Sequence, residues 1–421
     1  MGDVKRQPNT YLVTAPTNRA AKQLADKGVI ASTIHSICYN PFLNEDPDRE
    51  ARIERLLQEM DRLQARTDAL ADAEGDDIDR RTELCRQWHA KDALVEKLSK
   101  PDFSYNPEIL EAVDAIVIDE ASMITPQMMR DITSVCGLAV ILLGDSRQLP
   151  PIIPANEPTY ENHDLPSVFN PDVELKTNHR QESLSLLECC RRVRNGEGLA
   201  WGDYGDATLK PLDGLLADLK EDPQRFLEGF VICDTHKIRK GANVCLRAVL
   251  GREEWHPVHG DRLLIRSNLH EVGVYKNDLI TADRLEWHEE AQAWVVREYT
   301  MLDTGQSVTD APFFIYCKKL AGTYNQPHYP AKMKGIADAK LPVADCEYGY
   351  AITVHSAQGS QRDTVTLLSS HWMGGMDAET RARFAYTAIS RAKRKFYAYA
   401  PEVRQVPEWQ RQVANSQSKC A

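Results

Sequence analysis

The sequence predicts an α/β protein built on parallel sheets, with a helical arm and a small β domain inserted. Three textures carry that expectation. Two continuous apolar runs, AIVIDEAS at 115–122 and LAVILLGDS at 138–146, end in acidic or small residues. Unbroken runs of this kind suit strands buried on both faces of a parallel sheet, whose carboxyl ends open onto a ligand crevice. Residues 44–100 are highly charged with apolar residues at helical spacing, and residues 258–348 break into short, partly alternating runs.

Taken in order, Tyr11-Leu-Val begins a strand that runs through the turn Thr14-Ala-Pro-Thr17 into a helix-like segment reaching Leu24. In 44–100 the apolar positions are Ile53, Leu56, Leu57, Met60 and Leu63, then Leu84, Trp88, Leu94 and Leu98, with the acidic stretch 72–77 between the two halves. That pattern predicts an antiparallel helical hairpin. In 258–348 the runs RLLIRSN, GVYKNDLITADRLEW and AWVVREYTML, with Lys276-Asn277-Asp278 as a turn, predict a small antiparallel β domain.

A chain of 421 residues has room for two or three packed domains. No apolar stretch approaches a membrane span and the polar start has no signal-peptide core, so a soluble, cytoplasmic protein without membrane contact is expected. Ten cysteines without a C-x-x-C pair read as reduced thiols. The formal net charge of −11 gives no global attraction to polyanions, so any nucleic-acid site must be a local basic or aromatic surface.

Two motifs carry chemistry. Asp119-Glu120-Ala-Ser122 closes an apolar strand. A metal-dependent NTPase needs one carboxylate for the magnesium shell and a second to orient and deprotonate the attacking water, and this pair supplies both. The next apolar strand ends in Gly144-Asp145-Ser-Arg-Gln148-Leu-Pro-Pro151. An amide at that position, beside the acidic strand, can report on a terminal phosphate.

With these motifs in place the chain resembles superfamily 1 DNA helicases, and most closely their RecD/Dda-like branch. The resemblance covers nearly the whole chain. TAPTNRAAKQL (14–24) and ASTIHS (31–36) look like the first DNA-contacting motifs, and DEAS and GDSRQLPP like the Walker B and coupling motifs. LKTNHRQ (175–181), AITVHSAQGSQRDTV (351–365) and YTAISRAKRKFY (386–397) resemble the later motifs in their usual order.

The resemblance implies two RecA-like parallel-sheet domains, the first incomplete at its N-terminus. The first would comprise 1–43 and 101–178, and the second 179–257 and 349–421. The hairpin, 44–100, would be an insertion in the first, and a small β-barrel, 258–348, an insertion in the second. ATP and Mg2+ are the implied cofactors, single-stranded and forked DNA the implied partners, and 5′-to-3′ movement the implied polarity.

Carried over position by position, Asp119 would hold magnesium, Glu120 would act as general base and Gln148 would sense the terminal phosphate. Arg180 and Arg391 would reach the transferring phosphoryl group, and Gly359 would lie at the nucleotide. Pro16, Thr17, Thr33, His35, Thr353, His355 and Gln358 would line the strand groove.

One expected part is missing from the 421 residues. The phosphate-binding loop of such enzymes, G-x-x-x-x-G-K-[ST], contains a Gly-Lys pair, and the sequence has none. The chain is either a relative that has lost ATPase activity or one part of an enzyme whose loop lies upstream or on a separate polypeptide. Losing a central strand would expose apolar faces and unpaired backbone in the core, which favours the second reading. Alone, the chain is expected not to hydrolyse ATP; the alternative is a non-catalytic DNA-binding or scaffold subunit.

Overall fold

The structure is a computed structural model that describes residues 10–42, 48–70, 76–99, 102–151, 171–175, 181–323, 333–369 and 378–400. It divides into two compact units, residues 1–175 with 243–350 and residues 176–242 with 351–421.

The first unit is built on a four-stranded sheet in the order Ser32–Thr33, Tyr11–Ala15, Ala115–Ile118, Ala139–Leu142. Every pairing in it is parallel. Alternation sends Leu12, Ile116, Ile118, Val140 and Leu142 to one face, where they pack on Ile34, Ile37, Leu110, Ile124, Met128 and Ile132. The opposite face carries Tyr11, Val13, Val117 and Ile141, and of these Tyr11 and Ile141 are 68% and 49% exposed. Among the described residues Ala139–Leu142 is an outer strand of this sheet.

The expected hairpin is two helices, Arg49–Asp68 and Asp76–Ser99. It stands on a two-stranded antiparallel ribbon of Tyr39–Phe42 and Asp102–Tyr105. Met60, Leu63, Leu84 and Trp88 form its own small core. Glu59 pairs with Lys91 across it, and Arg49 Nε donates to the carbonyl of Leu98 at 2.6 Å. One position in the apolar pattern behaves differently, since Leu57 is exposed. The buried stripe steps from Leu56 to Met60, Leu63 and Thr67, and Leu57 lies a further 100° round the helix. Thr67 completes the stripe because its hydroxyl donates back to the Leu63 carbonyl at 2.8 Å, so no polar atom is stranded.

The β segment closes into a five-stranded barrel. Its strands are Asp261–Ile265, Leu279–His288, Ala293–Met301, Phe313–Tyr316 and Val343–Tyr348, and pairing of the second with the third completes the ring. All neighbours are antiparallel except Phe313–Tyr316 beside Val343–Tyr348. This barrel belongs to the same compact unit as the first sheet.

Asp261 ties the barrel to the segment that enters it. Its fully buried carboxylate accepts from Arg247 Nη2 (2.9 Å), Arg252 Nη1 (3.1 Å), the Tyr350 hydroxyl (2.9 Å) and the Val258 amide (2.8 Å). The Arg247 guanidinium also lies 4.0 Å from the Tyr348 ring centroid. A buried charge is tolerated only when its lone pairs are satisfied in this way.

The second unit carries a six-stranded sheet in the order Ala351–Thr353, Phe230–Cys233, Arg362–Leu368, Ala392–Ala400, Ala207–Pro211, Gly202–Asp203. Its first five strands are parallel and the last is antiparallel. Phe230–Cys233 is buried at every position, as an unbroken apolar run in a parallel sheet requires.

Removing the carboxylate hub should show its weight. Asp261→Ala leaves Arg247 buried without its anion and is expected to cost about 3–5 kcal/mol in urea denaturation. A loss below about 1 kcal/mol would contradict the account of the hub as an essential counter-charge.

Candidate active site and strand-binding turns

Parallel pairing brings the carboxyl ends of the first sheet to one rim, and Asp119 and Glu120 stand there. The exit from the Ala115–Ile118 strand is pinned on both sides. Asp119 N donates to Thr14 O at 2.9 Å, Ala121 N to Leu143 O at 2.9 Å, and Leu143 N to Ile118 O at 2.8 Å. Between these ties Glu120 adopts the left-handed conformation, with φ 49° and ψ 40°. Its amide donates to its neighbour's carboxylate, Asp119 Oδ1, at 2.9 Å. For a residue with a Cβ this conformation costs about 1–2 kcal/mol, so the surrounding hydrogen bonds fix the direction in which Glu120 leaves the chain.

Gln148 and Ser122 are buried in the same region of sequence and sheet. The Gln148 amide nitrogen of the backbone donates to Asp145 O at 3.0 Å, and Arg147 N donates to Asp145 Oδ1 at 3.0 Å, which sets the loop after Ala139–Leu142. Gln148 Oε1 and Ser122 Oγ have no hydrogen-bond partner among the described residues. An orphaned buried polar atom costs about 1–3 kcal/mol, which a polar ligand reaching either atom would relieve. Oε1 suits a water proton, whereas a phosphate oxygen would need the amide turned to present Nε2.

Among the described residues no three His, Cys, Asp or Glu side chains are placed to hold a metal ion. A magnesium bound through one carboxylate, with phosphate oxygens and water completing its shell, needs no such cluster. Asp119 fits that single-carboxylate role.

The candidate strand-binding residues occupy two turns of the same design, one in each unit. In the first, Thr33 ends the Ser32–Thr33 strand and caps the next helix. Its hydroxyl accepts from Ser36 N at 3.1 Å and donates to Ser36 Oγ at 3.1 Å. In the second, Thr353 ends Ala351–Thr353, accepts from Ser356 N at 3.2 Å and donates to Ser356 Oγ at 3.0 Å. Each turn places a histidine two residues after its threonine, His35 and His355.

The two imidazoles are both held below their ordinary pKa of 6.5. For His35 the cause is desolvation and then the charge of Lys276. Its ring, although accessible at its rim, packs 5.4 Å from Tyr39 and 5.8 Å from Phe103, centroid to centroid. For His355 the cause is desolvation and then His236. At neutral pH both rings are neutral, and they can offer hydrogen bonds rather than charge.

Pro16 and Thr17 follow the Tyr11–Ala15 strand at the same rim, with the Thr17 hydroxyl accepting from Ala20 N at 3.2 Å to cap the Asn18–Ala25 helix. Gln358 is buried, and its backbone N donates to His355 O at 3.3 Å.

Arg391 is placed differently from an extended finger. It is fully buried, with Nε donating to Thr387 O at 3.1 Å, Nη1 to Ser360 O at 3.4 Å and Nη2 to Ser390 Oγ at 3.0 Å. Arg362 N returns a bond to Arg391 O at 3.0 Å. The loop containing Gly359, at φ 81°, and the loop containing Arg391 are therefore joined inside the second unit. Arg180 lies outside the described residues.

Sequence reasoning missed three features of this region. Ser122 stands in DEAS with no role read for it from the sequence, although a serine two residues after an acidic pair at a strand exit is a signal. His236 beside His355, and Arg19 reaching the barrel, depend on contacts far apart in sequence that no local pattern records.

The left-handed residue gives a direct test. Glu120→Gly removes the steric cost of φ 49° and is expected to raise stability by about 1 kcal/mol in denaturant unfolding. An unchanged or lowered stability would show that the conformation carries no strain.

Comparison with known proteins finds relatives of both ends of the chain. Residues 4–208 match a family model described as an AAA domain, and residues 348–399 match one described as a UvrD-like helicase C-terminal domain. The RecBCD enzyme subunit RecD of Mycolicibacterium smegmatis is 28% identical over 304 residues, covering 66% of this chain and 49% of that protein. The RecD subunit of Mycobacterium tuberculosis is 27% identical over 314 residues, covering 67% and 48%. The chain thus spans about half the length of the curated relatives it matches. Among solved structures, the Pif1 helicase from Bacteroides in complex with ADP-AlF3 and ssDNA is 16% identical at a TM-score of 0.47, covering 99% of this chain and 89% of that one. An AAA-domain match followed by a UvrD-like helicase C-terminal match, together with the RecD relatives, makes this chain similar to superfamily 1 helicases of the RecD type.

Proposed function

We propose that this chain forms the strand-gripping and hydrolysis-coupling body of an ATP-dependent DNA helicase that moves 5′ to 3′ along single-stranded DNA and unwinds forked duplexes. The observation that carries the reading is the Asp119–Glu120 pair at a parallel-strand exit, with Glu120 held at φ 49° and Gln148 Oε1 orphaned on the loop that follows the neighbouring strand. In this reading the two parallel sheets are the RecA-like domains of the family.

Asp119 would hold the magnesium shell, and Glu120 would orient the attacking water and take its proton. Gln148 Oε1 would accept from that water, coupling its position to the presence of the terminal phosphate. Arg180 and Arg391 would supply cationic charge as negative charge spreads over the phosphoryl oxygens. For Arg391 this requires exchanging its bonds to Thr387 O and Ser360 O for bonds to phosphate. Magnesium, when bound, would neutralise phosphate charge. Thr17, Thr33, His35, Thr353, His355 and Gln358, with Pro16 shaping the first turn, would contact the strand backbone through neutral hydrogen bonds, which suits a translocase that must not read sequence.

The phosphate-binding loop is supplied, in this proposal, by a strand–loop–helix segment outside these 421 residues. The strand Ala139–Leu142, outer among the described residues, and the exposed Ile141 and Leu143 support that reading, because a parallel strand and a covering helix could pair and pack there. The lack of a Gly-Lys pair and the internal bonds of Arg391 favour a second reading, a non-catalytic DNA-binding subunit derived from a helicase.

Two measurements decide between them. Purified alone, the chain is expected to bind an oligothymidylate without DNA-stimulated ATP hydrolysis. Adding a polypeptide that carries a strand, a G-x-x-x-x-G-K-[ST] loop and a helix is expected to restore hydrolysis, and Glu120→Gln to cut the restored rate by about 10²–10⁴-fold. Hydrolysis by the chain alone would overturn the proposed division of the site, and failure of every such addition would favour the non-catalytic reading. In the restored enzyme, deleting residues 48–98 is expected to abolish unwinding while sparing translocation. Unwinding at the parental rate would remove the hairpin from the strand-separating role we assign it.

A further inference from the structure

The barrel presents a cation beside the first strand-binding turn. The turn Tyr275–Asp278, between the strands Asp261–Ile265 and Leu279–His288, lies against the helix that Thr17 caps. Arg19, in the first turn of that helix, is buried and donates through Nη1 to Asn277 O at 2.9 Å. Its Nη2 pairs with Asp303, also on the barrel. One helical turn further on, Lys22 Nζ is 3.9 Å from the Asp278 carboxylate.

The turn is rigidly specified. Asp278 Oδ2 accepts from Tyr275 N at 2.9 Å, and Asp278 N donates to Tyr275 O at 2.9 Å. Asn277 takes the left-handed conformation at φ 74°, a position asparagine tolerates. Its side chain accepts from Arg266 Nη1 at 3.0 Å, and its amide donates to Ile265 O at 2.8 Å. Lys276 N is held by Asn268 Oδ1 at 3.0 Å, and the Lys276 side chain is exposed. The charge of that lysine is felt at His35, where it helps keep the imidazole neutral.

We propose that Lys276 is a backbone-phosphate contact contributed by the barrel to the same single-strand groove as Thr17, Thr33 and His35. The proposal rests on the reading that those three residues grip single-stranded nucleic acid. Their hydroxyls and neutral imidazole supply hydrogen bonds but no charge, and the whole chain carries a net −11. A phosphate track therefore needs a local cation, and a lysine on a pinned turn supplies one without first having to order its backbone. Arg19 is the positioning residue, since it anchors the turn to the sheet that carries the rest of the groove.

The test is fluorescence anisotropy of a labelled oligothymidylate with the full chain over a potassium chloride series. Lys276→Ala is expected to weaken binding about fivefold and to flatten the slope of log K against log salt by about 0.7, the value for one phosphate contact on a single strand. Lys276→Arg should restore both, and Lys220→Ala, on an exposed helix position in the other unit, should change neither. If Lys276→Ala matches the parent in affinity and slope while Thr33→Ala and His35→Ala weaken binding, the lysine assignment is wrong and the groove stands. If the parent chain does not bind the oligonucleotide at all, the groove and the lysine assignment both fall.

Discussion

Register between parallel strands is the constraint on which the rest of the first unit depends. Val13, Val117 and Ile141 lie level with one another, so the chain leaves all three strands at one height. That single fact brings Thr17, Asp119, Glu120 and the loop to Gln148 to a common rim, although they are spread over more than a hundred residues of sequence. A slip of one residue would turn Ile116 and Ile118 out of the core and carry the acidic pair to the opposite face. The hydrophobic pattern that buries one side of the sheet is thus also what aims its polar exits.

The two units solve the same local problem in the same way. A threonine at a strand end caps the next turn and shares its proton with a serine three residues later, and a histidine stands between them. The repeated turn fixes backbone and side chain together, because the threonine oxygen both accepts an amide proton and donates its own. Each histidine then rides on a rigid support and is kept uncharged by its surroundings. Under the proposed function, a surface that must release a polyanion after each step is served by such neutral contacts, with charge confined to few positions.

Much of this was legible in the sequence for identifiable reasons. Helical spacing marked Met60, Leu63, Leu84 and Trp88 as the core of the arm, because an isolated hairpin has only one face to bury. Continuous apolar runs marked the central strands, since both sides of a parallel sheet are covered in most folds. Leu57 is exposed, and spacing alone does not say which of two adjacent apolar residues lies off the stripe; the stripe instead ends on Thr67, whose hydroxyl is satisfied. The left-handed Glu120, the orphaned Gln148 oxygen and the inward bonds of Arg391 were not legible at all. Each depends on what the rest of the fold does to one residue, and no local pattern encodes that.

The barrel and the first sheet end their hydrogen-bond ladders in opposite ways. Closing a ring of five strands leaves the barrel no rim of spare amides to be misread by another molecule. The short outer strand of the sheet has no such protection among the described residues, and its Ile141 faces water while Val140 and Leu142 pack inward. A charged residue in place of Ile141 would therefore alter that open ladder without touching the packed face, which a change at Val140 or Leu142 would disrupt.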